Sequence, residues 1–124
     1  MNDTYSKASG RNGGHLTPNP FGGFIARASA YGTEEAIKSF VIERRTVSKV
    51  VEFLRSKGFE ERVDLVNGNH IGIFRSVEEE QAARDDWEAA RLAGLPDIGD
   101  EDVTWLTNED LVKVRLFPSL SYFC

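Results

Sequence analysis

Arg62-Val63-Asp64-Leu65-Val66-Asn67-Gly68-Asn69-His70-Ile71-Gly72-Ile73-Phe74-Arg75 carries the strongest hairpin signal in this chain. Residues 62–66 and 70–75 are β-branched or alternating runs, and Asn67-Gly68 between them is the dipeptide that a tight two-residue turn favours, because asparagine and glycine tolerate positive φ. The pattern predicts two antiparallel strands. With helical patterns on both sides, the expectation is an α+β fold: a long helix, a β-hairpin and a second helix.

Downstream, Ser76 is placed to cap a helix, with Glu79 three residues on completing a capping box. That helix is predicted over 77–93, with Ala83, Trp87, Ala90 and Leu92 among many charges and with Gly94 and Pro96 as its stop. Trp87 is expected to pack, and Trp105 with it. Glu78, Glu79, Glu80, Asp85 and Asp86 read as a solvated face, because nothing apolar surrounds them to shift their pKa values. Residues 103–106 suggest a short strand, and Thr107 the cap of a last turn.

Upstream, Phe24, Ile25, Ala28 and Tyr31 recur at helical spacing and stop at Gly32. Thr33 then stands as an N-cap, with Glu34 and Glu35 in the first turn, where the helix dipole favours negative charge. Ile37, Phe40, Val41, Val47, Val50, Val51 and Leu54 form one stripe, interrupted mainly at Arg44, and Gly58 is the stop. Residues 33–57 would reach roughly 37 Å at about 1.5 Å per residue. A helix that long is expected to pack on a larger body.

Composition bounds the partners. The 124 residues carry 20 acids against 15 bases, a net charge of −5, which argues against nucleic acid as a main partner. Arg44, Arg45 and Lys49 read as a solvated helix face. No apolar run approaches a membrane span and the amino terminus has no signal pattern, so the expected location is cytoplasmic. One cysteine, Cys124, and two histidines, His15 and His70, supply neither an internal disulfide nor a zinc-type ligand set.

The remaining motif is Ser9-Gly10-Arg11-Asn12-Gly13-Gly14-His15-Leu16-Thr17-Pro18. Its glycines let a backbone approach a flat or charged ligand, and Arg11 and Asn12 add donors at the same place. On the residues alone it is a ligand cradle or a solvent-exposed turn. Preceded by Ala8, it resembles the second flavin-contacting segment of the D-amino-acid oxidase-like FAD-dependent oxidoreductases, above all the branch near gamma-glutamylputrescine oxidase. The resemblance extends over residues 7–111, through the long helix, the two strands around Asn67-Gly68 and the acidic helix running into Ala93-Gly94-Leu95-Pro96-Asp97.

The resemblance implies that Ser9, Gly10, Arg11, Asn12, Gly13, Gly14, His15 and Leu16 contact FAD, with Gly14, His15 and Leu16 nearest the isoalloxazine ring. It also implies oxidation of a small amine or amino acid at its C–N bond. The family's G-x-G-x-x-G turn, which seats the FAD pyrophosphate, does not occur in this sequence. The chain is therefore expected to be a partial FAD-oxidoreductase domain over 1–113, with an unrelated or disordered tail over 114–124 and weak FAD binding by itself. No catalytic residue is nominated. The competing expectation is a non-catalytic α+β module that binds a protein partner through its long amphipathic helix.

Overall fold

Gly32 stands at φ 90° and ψ 153°, a conformation that residues with a Cβ rarely adopt, and it turns the chain from one helix straight into the next. Before it runs α1 (Phe24–Tyr31) and after it α2 (Thr33–Ser56). A third helix, α3 (Val77–Leu92), and a short 3-10 helix (Glu61–Val63) follow in the computed structural model, which describes residues 14–68, 70–107 and 109–110.

Short as it is, α1 is the hub, packing on both α2 and α3. Phe24 of α1, Ala36 and Phe40 of α2, and Ala90 of α3 are buried together with Leu95 and Ile98 from the segment that follows α3. Phe21, Ile37, Val41 and Trp87 surround them at half burial. A carboxylate from another helix closes the start of α1, since the Gly23 and Ile25 amides donate to Asp86 of α3 at 2.7 and 2.9 Å. Those amides have no partner within α1, so Asp86 is its N-terminal cap.

The helix limits follow local chemistry. Ser76 caps α3 by accepting from the Glu79 amide at 3.2 Å, and Gly94 after the helix has φ 84°. Glu79 closes on the Arg75 amide at 2.9 Å, so the predicted box is shifted by one residue. Thr33 is not a cap: Gly32 holds that position, and it supplies no side-chain cap bond to α2. Gly58, at φ 65°, ends α2, where the Phe59 amide donates back to Leu54 O at 2.9 Å.

The described residues form a helical fold, and the α+β expectation is wrong. Neither predicted strand of the hairpin is present, and 103–106 is not a strand either. Arg62 and Val63 are taken up by the 3-10 helix, held by bonds from the Val63 amide to Phe59 O (3.0 Å) and from the Leu65 amide to Glu60 O (2.9 Å). A type I′ turn needs positive φ at both central residues, and neither Asn67 nor Gly68 has it. Val66 and Ile73 are 77% and 76% exposed, so the alternating side chains meet no apolar surface. A two-stranded hairpin without a packed face is marginal in water. The predicted tail over 114–124, and its boundary at 113, lie outside the described residues.

Candidate functional site

Of the predicted flavin-contacting residues, Ser9, Gly10, Arg11, Asn12 and Gly13 lie outside the described residues. Gly14, His15 and Leu16 are exposed on an irregular segment that leads into α1. Gly14 has φ 67°, in the left-handed region that glycine favours.

Two side chains of α2 fix the exit of this segment. The Asn19 amide donates to Glu43 Oε2 at 3.2 Å, and Arg44 Nη2 donates to Pro20 O at 2.7 Å. Through Nη1 the same guanidinium donates to Pro96 O and lies 3.9 Å from the Asp97 carboxylate. Arg44 thereby ties the entry to α1 and the exit of α3 to one helix, and only 16% of its side chain is exposed. Charge-assisted bonds to carbonyls are stronger than neutral ones. Nearby, Arg27 donates to Ser39 Oγ at 3.0 Å and lies 4.3 Å over the Phe40 ring, and its guanidinium is 3.5 Å from Glu43.

Arg44 therefore does not belong to a solvated face, although Arg45 and Lys49 do. The signal was available: Arg44 occupies a core-register position in the α2 stripe, where an unpaired charge would be costly. Asp86 was likewise misread as solvated, and nothing local separates it from Asp85.

Trp105 meets the other aromatic rings beside α3. Phe21, Phe74 and Trp87 lie 6.4, 6.1 and 5.9 Å from it, with the Arg84 guanidinium 4.1 Å over its ring. Trp87 Nε1 donates to Ile98 O at 2.9 Å, while Trp105 Nε1 is buried without an acceptor. Both tryptophans are packing residues, and the cluster holds the segments before and after α3 against it.

The outer face of α2 from Ile42 onward is different. Ile42, Thr46, Val50 and Phe53 form an exposed row on the side away from the core. With Arg45 and Lys49 they line an open groove of about 510 Å³. Lys49 Nζ bonds Glu52 Oε2 at 2.7 Å, and that bond, with the charge behind it, holds the Glu52 carboxyl below the ordinary glutamate value.

Among the described residues, no cluster of His, Cys, Asp or Glu is arranged to hold a metal ion, and no helix is long and apolar enough to cross a membrane. No family model, curated protein or solved structure matches this chain.

Proposed function

We propose that the chain acts within an FAD-dependent oxidoreductase that oxidises an amine or amino acid at its C–N bond, with residues 9–16 as a flavin-contacting loop. The observation that carries this reading is the run Ala8-Ser9-Gly10-Arg11-Asn12-Gly13-Gly14. The glycine at 14 with positive φ, on a segment anchored through Asn19 and Pro20 to α2, is compatible with it. When bound, the flavin supplies the redox chemistry by accepting a hydride equivalent from the carbon next to the amine nitrogen. The chain's own contribution is orientation: backbone N–H groups and the Arg11 and Asn12 donors approach the ring or its phosphates, while Glu43 and Arg44 hold the loop's exit.

The sequence has no G-x-G-x-x-G turn, so the pyrophosphate cradle must come from other protein. Without it about three charge-assisted hydrogen bonds are lost, roughly 5 to 9 kcal/mol in all. Affinity falls by about a thousand- to a million-fold. FMN and FAD added to the chain should therefore shift the same amides, within residues 10–16, at about millimolar concentration, and AMP should shift none. Amide spectra in which FMN leaves residues 10–16 unmoved would sink the flavin assignment. A chain that purifies yellow with stoichiometric FAD would sink the account of an incomplete pocket.

The exposed row on α2 favours a second reading, a non-catalytic helical module that binds protein through this helix. That reading requires a folded, cooperatively melting chain whose loop ignores FMN.

A further inference from the structure

We propose that the outer face of α2 from Ile42 to Phe53 pairs antiparallel with the α2 of a second copy of this chain. Ile42, Thr46, Lys49 and Phe53 follow one another at spacings of four, three and four residues, the repeat by which one helix presents a seam to another. All four are exposed, Ile42 by 63% and Phe53 by 54%, and they lie on the face opposite buried Ala36 and Phe40. From Ile42 to Phe53 the seam is about 16 Å long at 1.5 Å per residue.

The order of residues along the seam selects the occupant. When the helix is laid on a reversed copy of itself, Ile42 meets Phe53 of the other copy and Thr46 meets Lys49. In the same register Arg45, beside the seam, comes opposite Glu52 of the other copy, and the two-fold axis repeats each of these pairings. The face is thus self-complementary in both apolar and charged positions, as an isologous dimer requires. A parallel pairing would set Lys49 against Lys49 within the seam, so charge also fixes the direction. Thr46 and Lys49 are the polar positions of the seam; such positions set register at a cost in stability. Each Lys49 carries its own Glu52 at 2.7 Å, which moderates repulsion across the axis.

The inference does not rest on the flavin reading, and the two fail separately, because the FMN titration reads residues 10–16 and the pairing is read by mass. Sedimentation equilibrium of the full chain at low salt should move from 13.9 kDa toward twice that mass as concentration rises. Phe53→Asp should abolish the shift. Arg45→Glu and Glu52→Arg should each weaken it about tenfold, and the double variant, with both charges exchanged, should recover to about the original affinity. These side chains are exposed, so circular dichroism should confirm that every variant stays folded. A chain that remains at 13.9 kDa throughout, a dimer that survives Phe53→Asp, or a double variant no stronger than the singles would overturn the pairing.

Discussion

The two halves of α2 belong to one unbroken helix, yet they differ in what lies against them. In the first half Ala36 and Phe40 are 1% and 0% exposed, beneath α1 and residues 95–98. In the second half the same stripe, Val47, Val51 and Leu54, is only half-buried, Phe53 faces solvent, and the described residues of 64–74 have no regular structure. The reach of the partners explains the contrast. At about 1.5 Å per residue α1 spans roughly 12 Å and α2 roughly 36 Å, so α1 can cover only a fraction of its neighbour. Spacing along the sequence makes a helix amphipathic, but burial depends on having an element long enough to lie on it. Stability should therefore be concentrated at the Phe40 end.

Exchanging the same residue type for alanine at both ends tests that contrast most severely. Phe40→Ala removes a fully buried ring from a six-residue core and should cost about 3 to 5 kcal/mol, a large part of the 5 to 15 kcal/mol typical of a domain. Phe53→Ala, measured by urea unfolding at a concentration too low for α2 to pair, should stay within about 0.5 kcal/mol of the parent. Similar losses at the two positions would mean that the second half of α2 is covered after all.

A subtler comparison sets two adjacent acids side by side. Asp86 accepts from two α1 amides, whereas Asp85 accepts only from Gln81 Nε2 at 2.8 Å on its own helix. Asp86→Ala should cost about 1 kcal/mol, the ordinary loss of an N-terminal cap, and Asp85→Ala close to nothing, both read from urea midpoints. Equal midpoints would show that the start of α1 does not depend on α3.

What was legible in the sequence follows the range of the physics. Gly32, Gly58 and Gly94 end helices because of their own backbone freedom, and Ser76 caps α3 through a residue three positions away, so these limits could be read locally. The hairpin could not, because a strand is stabilised by a partner and a packed face, and Val66 and Ile73 have neither. Arg44 and Asp86 were assigned to solvent by residue type; their roles come from carbonyls and amides more than twenty residues away. At the candidate site, the side chains that hold the segment after the glycine loop, Glu43 and Arg44, lie on a helix read for its apolar stripe.

The smallest expected effect is that of acid on the exposed pairs. Glu34 and Glu52 are held below the ordinary glutamate value of 4.5 by hydrogen bonds and charge from Lys38 and Lys49, and Glu78 by hydrogen bonds at the start of α3. Lys38 is shifted upward by Glu34 and Glu35, so it stays charged throughout an acid titration. A carboxyl whose folded pKa is depressed contributes its stabilisation above its unfolded value and loses it as the pH falls through the folded one. Helicity followed by circular dichroism should hold from pH 7 to about 4.5 and decline slightly below it, with 1 M salt reducing the decline because exposed pairs are screened. Glu52 lies on the uncovered half of α2, so the loss should show there first, as amide shifts around Lys49 and Glu52 with Phe40 still in place. Cooperative unfolding over that range, with Phe40 released together with Lys49, would instead show that the two halves of α2 do not open independently.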